Sequence, residues 1–186
     1  MFKTDIITRI EKTGAMAIVR TETIERGIEI AQGCLNGGVD VLEISYTLPN
    51  AGEVIEAINK KFNDQLVVGA GTVLDAETAR LAILAPGCTT ITEMVEAMEV
   101  GASFIKAFPI SNFYGPELVS VLKTPIPVMP ILASGGITLD NLSDWIKKGT
   151  ECCGFGGLLT KGTSEEITEN AKKIRAIIDE TRSAMK

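Results

Sequence analysis

The chain contains no histidine, and this absence restricts its chemistry more than any other feature of its composition. It removes the commonest general base, the commonest zinc ligand and every Ser-His or Cys-His pair. Catalysis would have to run on Lys, Glu, Asp, Tyr, Cys or Arg. Cysteine is scarce: Cys34, Cys88, Cys152 and Cys153 form neither a spaced zinc pattern nor a disulfide framework, so reduced thiols are expected. No apolar run has spanning length, and no basic leader with a signal-like core is present. A soluble, cytoplasmic protein is expected. The net charge of -6 opposes a nucleic-acid footprint, while leaving room for a local basic pocket that takes a small anion.

What is present fits one globular domain, residues 1–186, with 45% hydrophobic residues. Short apolar runs alternate with amphipathic stretches. The runs "MAIVR", "VDVLEIS", "QLVVGAG", "SFIKAF", "PVMPILAS" and "CCGFGG" read as six strands. Between them, "TIERGIEIAQGCLNGG", "NAGEVIEAINKKF", "DAETARLAILA", "TITEMVEAMEVG", "GPELVSVLK" and "DNLSDWIKKG" read as helices, with a long helix from about Ser164 to Met185 at the end. Thr90 with Glu93 and Thr163 with Glu166 have the spacing of capping boxes, and Gly37 and Gly149 stand where helices should stop. This alternation predicts a parallel α/β fold. The periodicity suits a (β/α)8 barrel and an open doubly wound sheet equally. Only "APGCTT" joins two helical patterns between "QLVVGAG" and "SFIKAF", and it is too short for a full strand and its crossover.

Lys106 lies in the middle of an apolar strand pattern, on the face shared by Phe104 and Phe108. Burial favours the free amine, which is the form that attacks a ketone to make a Schiff base. The alternative is a lysine whose stem is buried and whose head snorkels to water. Glu43 breaks a second apolar strand, sharing a face with Val41 and Ser45. A carboxylate on one inward strand and an amine on another offset each other's burial, and they could either form a structural ion pair or move protons. Arg20, ending the first strand, is suited to holding an anionic group bidentately. Thr72 follows two glycines that admit close approach to backbone N–H groups. "ASGGIT" and "GFGG" follow the last two strands, where barrels often bind phosphate, and neither is a nucleotide fingerprint. Lys161, in a more polar loop, reads as an ordinary solvated lysine.

In this order, "VLEISYTLPNA", "VVGAGTVL", "PGCTTITEMVEAMEVGASFIKAFP", "ASGGITLDNLSDWIKKG" and "GFGGLLTKGT" resemble the 2-keto-3-deoxy-6-phosphogluconate (KDPG) aldolase family, which includes 4-hydroxy-2-oxoglutarate (KHG) aldolases. The resemblance covers nearly the whole chain. It implies a class I aldolase with a (β/α)8 TIM barrel, needing no metal or cofactor and assembling as a homotrimer. By the same resemblance Lys106 matches the Schiff-base lysine, Glu43 the general acid/base, and Thr72 the residue near the pyruvate carboxylate. Gly135, Gly136, Gly156 and Gly157 match the phosphate site.

Three departures accompany the resemblance. Thr47 stands where many members have arginine, and Arg20 matches the alternative arginine of another branch. Gly157 replaces a common serine, and Ala133-Ser134 replaces the usual Pro-Thr, leaving backbone amides and the Ser134 hydroxyl to hold phosphate. Most important, members carry a strand, a helix and most of another strand between the positions of Ala85 and Pro86. The expected fold is therefore a barrel lacking about one βαβ passage. The expected reaction is cleavage of KDPG to pyruvate and glyceraldehyde 3-phosphate. The alternatives are cleavage of 4-hydroxy-2-oxoglutarate to pyruvate and glyoxylate, or an impaired paralogue or scaffold that keeps only the assembly.

Overall fold

The structure is a computed structural model and describes residues 3–72 and 85–186. The chain divides into two compact units. The first comprises Met1–Ala82 with Phe155–Arg175, and the second Ile83–Gly154 with Ala176–Lys186. The helix expected over "DAETARLAILA" lies, but for its last residue, outside the described residues.

In the first unit the order is α1 (Lys3–Thr13), β1 (Ala15–Val19), α2 (Ile24–Asn36), β2 (Val41–Ser45), α3 (Ala51–Phe62) and β3 (Val67–Gly71). The strands pair in the order β3-β2-β1, all parallel, with Ile18 opposite Glu43 and Ser45 opposite Gly71. Every residue of β1 and β2 is buried, as expected for parallel strands covered on both faces. The amphipathic period of α2 buries Ile30 and Ala31, and that of α3 buries Val54, Ile58 and Phe62.

The sequence reading did not include α1. Its apolar stripe is narrow, burying only Ile10 and Thr13, and polar contacts hold it instead. Arg9 pairs with Asp40 at 2.6 Å and donates to the carbonyl of Asp64 at 2.6 Å, and the Thr13 hydroxyl donates to Asp40.

In the second unit β4 (Gly87–Cys88), α4 (Ile91–Glu99), β5 (Ile105–Ala107), α5 (Ser111–Tyr114), α6 (Glu117–Lys123), β6 (Ile131–Ser134), α7 (Leu142–Lys147) and β7 (Cys152–Phe155) follow in turn, β7 ending on a residue of the first unit. The strand order is β4-β5-β6-β7, again parallel. Two short helices, α5 and then α8 (Gly157–Thr160) in the first unit, occupy stretches expected to be loops. The last helix, α9, spans Ser164–Ala184, close to its expected limits.

Strand β4 corrects the count of six. Its two residues, in the "APGCTT" segment, are too few to show a period, and pairing Gly87 with Lys106 and Cys88 with Ala107 makes them a strand. The described residues thus contain seven strands, one fewer than a closed (β/α)8 barrel. Both capping boxes form: Thr90 and Glu93 exchange bonds at the start of α4, and Thr163 and Glu166 do so before α9. Among the described residues no helix is long and apolar enough to cross a membrane.

Candidate active site

The first unit holds Arg20, Glu43, Thr72, Gly156 and Gly157. Glu43 is central in β2 and only 8% exposed. Its side chain leans along the strand over Gly71, so a Cβ on Gly71 would collide with the Glu43 Cγ, Cδ and Oε1 atoms. The glycine expected to admit a ligand is therefore occupied by the protein's own carboxylate. Beyond Gly71, Thr72 has φ +57°, an unusual conformation for a β-branched residue and one that concentrates at functional sites. Its hydroxyl lies 2.9 Å from that of Ser45, which is itself 3.2 Å from the Thr47 hydroxyl. The hydroxyls lie at or just beyond the ends of β2 and β3, and the carboxylate comes from the middle of β2.

Arg20 directly follows β1 and is exposed. Gly156 is open on the side where a Cβ would project, and Gly157, at the start of α8, faces the aliphatic stem of Lys161 at 3.5 Å. The carbonyl of Gly156 is taken by the Thr160 hydroxyl at 3.0 Å. A cleft of about 600 Å³ opens beside Gly157, lined by Leu158, Lys161, Glu165, Asn170 and Lys173 among others, and neither Glu43 nor Thr72 reaches it.

The second unit holds Lys106, Ser134, Gly135 and Gly136. Lys106 is half-buried between Ile105 and Ala107, both fully buried. Its Nζ lies 5.9 Å from the centroid of the Phe108 ring, within cation–π reach, as the shared strand face predicts. Its backbone N–H donates to the carbonyl of Pro86 at 3.0 Å, so β4 braces the lysine's strand. On the other side Lys106 is opposite Leu132, and β6 then leads through buried Ser134 into Gly135 and Gly136.

Sequence reasoning gave no role to Ser111 or Asn112, and it read Gly71 only as one of two glycines that admit a ligand. Ser45 was visible only as a residue sharing Glu43's face, and the importance of Gly71 depends on strand register, for which the sequence carries no local signal.

The profile of the KDPG and KHG aldolase family matches residues 6–83 and 78–177. The chain belongs to that family. The match comes in two pieces that meet near the expected missing passage. The chain is 29% identical to the 2-dehydro-3-deoxy-6-phosphogalactonate aldolase of Escherichia coli (strain K12), covering 94% of this chain and 97% of the relative. That alignment runs over 201 positions against the 186 residues here, so the relative has residues without a counterpart in this chain. Identity to the 2-dehydro-3-deoxy-phosphogluconate aldolase of Treponema pallidum is 28%, covering 76% and 79% of the two chains. Among solved structures, a native KDPGal structure superposes with a TM-score of 0.83 at 28% identity, covering 91% of this chain and 96% of the other. The KDPG aldolase of Zymomonas mobilis ZM4 shares the fold, with a TM-score of 0.81 at 24% identity over 94% and 96% of the chains. The chain is an aldolase with the α/β fold of these enzymes, the TIM-barrel class, short of one passage.

Proposed function

We propose that the protein is a cytoplasmic class I aldolase, one domain per chain and three chains per assembly, that cleaves KDPG to pyruvate and glyceraldehyde 3-phosphate. The observation that carries this reading is Lys106: a half-buried amine on β5 of a family member whose chain has no histidine. The Lys106 amine attacks the C2 ketone to give a carbinolamine, which loses water to become an iminium ion. Breaking C3–C4 sends its electron pair into the iminium and leaves an enamine, while the C4 hydroxyl loses its proton and departs as the aldehyde. Glu43 is the group that takes that proton, returns one to C3 and serves carbinolamine formation. Hydrolysis of the iminium then frees pyruvate and the lysine. No metal or cofactor is needed.

Arg20 and Thr72 are assigned to the substrate carboxylate. Ser134, Gly135, Gly136, Gly156 and Gly157 are assigned to its phosphate. The names of the relatives, which span phosphogluconate and phosphogalactonate substrates, support a phosphorylated 2-keto-4-hydroxy acid.

Intact mass after incubation with pyruvate and borohydride tests the reading. A reduced pyruvate adduct is expected on the wild type and not on Lys106→Ala. No adduct on folded wild-type protein would sink the aldolase chemistry and leave a scaffold. With the adduct present, faster turnover of 4-hydroxy-2-oxoglutarate than of KDPG would reassign the substrate.

A further inference from the structure

Gly135 and Gly136 have φ of +96° and +71°, a region glycine enters without strain. Neighbouring residues hold this turn in place. The hydroxyl of Ser111, a residue only 1% exposed, donates to the carbonyl of Ser134 immediately before the turn. A Cβ on Gly135 would lie 3.3 Å from Asn112 Cβ, and one on Gly136 would lie 3.2 Å from Asn112 Oδ1 and 3.3 Å from Asn112 Cα. Asn112 thus fills the space the two glycines leave open. Further along the chain, Asn141 Nδ2 donates to the carbonyl of Gly136 at 2.9 Å.

Ser111 and Asn112 open α5, the first helix after the strand that carries Lys106. Lys106 is opposite Leu132, two residues before Ser134. One short segment therefore ties the lysine's strand to the glycine turn at the end of its neighbour.

We propose that Ser111 and Asn112 are positioning residues that hold the Gly135–Gly136 turn with its amide N–H groups set for the phosphate of the substrate. This rests on the aldolase reading above, in which these glycines take the phosphate. Amide dipoles fixed before binding need no reorganisation when the anion arrives, whereas a slack turn loses affinity in ordering itself. Pyruvate has no phosphate, so its reaction with Lys106 is independent of the turn. A purely structural role would instead change stability and affect all substrates alike.

The test measures steady-state kinetics with KDPG and with unphosphorylated 2-keto-3-deoxygluconate, together with borohydride trapping of pyruvate. Ser111→Ala is expected to raise KM for KDPG about tenfold, the effect of losing one well-placed hydrogen bond. Its kcat, its KM for the unphosphorylated acid and its yield of pyruvate adduct should stay near wild type. Ser111→Thr, which keeps the hydroxyl, should restore KM. Asn112 is exposed, so Asn112→Gly supplies the second variant if Ser111→Ala does not fold, and it should repeat the selective rise. Equal rises for both substrates, or an unchanged KM for KDPG in folded variants, overturn the proposal. Failure of the wild type to form the adduct overturns the aldolase reading itself, an outcome distinct from normal adduct formation without the selective change.

Discussion

The carboxylate of Glu43 rests where Gly71 would otherwise carry a side chain. The pair comes from neighbouring parallel strands, with Gly71 opposite Ser45, two residues beyond Glu43. Gly71→Ala should therefore act on Glu43 without touching its chemistry. The added methyl would push the carboxylate from its place, and a displacement of about 1 Å in a catalytic group can lower turnover about 100-fold. The check is kcat with KDPG alongside far-UV circular dichroism. A folded Gly71→Ala variant that turns over at the wild-type rate would show that Glu43's position over the glycine is irrelevant to catalysis.

Glu93 links acid stability to a helix cap. Its carboxylate accepts from the N–H groups of Thr89 and Thr90 and from the Thr89 hydroxyl, and these bonds hold its pKa down to about 2 from 4.5. A folded-state pKa below the unfolded one means that the cap contributes fully above pH 4.5 and is lost as pH falls toward 2. Amide hydrogen exchange in the first turn of α4 should therefore speed up across that window relative to the α9 interior. Glu93→Gln should show faster exchange already at neutral pH and little further change with acid. Identical acid profiles for the two proteins would contradict the cap's role.

Helix α2 approaches its neighbours through glycines. A Cβ on Gly37 would strike the Ala171 Cβ and come within 2.6 Å of the Thr168 carbonyl in α9. Gly37→Ala should destabilise by about 1–3 kcal/mol, the usual cost of overpacking against atoms that cannot move aside. Gly52→Ala offers the contrast. It is exposed, lies within α3 and would meet only the Tyr46 hydroxyl at 3.5 Å, so a gain of about 0.5–1 kcal/mol is expected. Urea midpoints moving in the same direction for both variants would refute the packing argument.

None of the four cysteines forms a disulfide, and all four are buried. Burial pushes Cys34 and Cys153 up to about 12 and raises Cys88 as well. Since the thiolate is the reactive form, none should react with an aromatic disulfide reagent at pH 8 until the protein unfolds. The number of thiols titrated should rise from near zero to four in denaturant. Rapid labelling of native protein at any of them would mean that the surrounding packing opens readily.

Much of this fold was legible because its signals are local. The apolar run of β2 and the capping spacing of Thr90 with Glu93 each lie within a few residues, and both formed as expected. Lys106 and Glu43 were visible for the same reason: each is one charge inside an apolar run. The missing passage was legible by comparing segment lengths, and the family match divides near the same place. Helix α1 was missed because its buried stripe is only two residues, with Arg9 and Asp40, 31 positions apart, supplying the anchor.

By itself, then, the sequence determined six of the seven described strands and most of the longer helices, which ionisable groups enter them, and that one passage is lacking. Only the tertiary structure decided that Glu43 lies over Gly71, that Gly87 and Cys88 form a strand beside Lys106, and that Ser111 and Asn112 hold the Gly135–Gly136 turn. The physical reason is range. Periodicity and capping follow from bonds between residues a few positions apart, whereas these contacts exist only after strand register has brought distant residues within bonding distance.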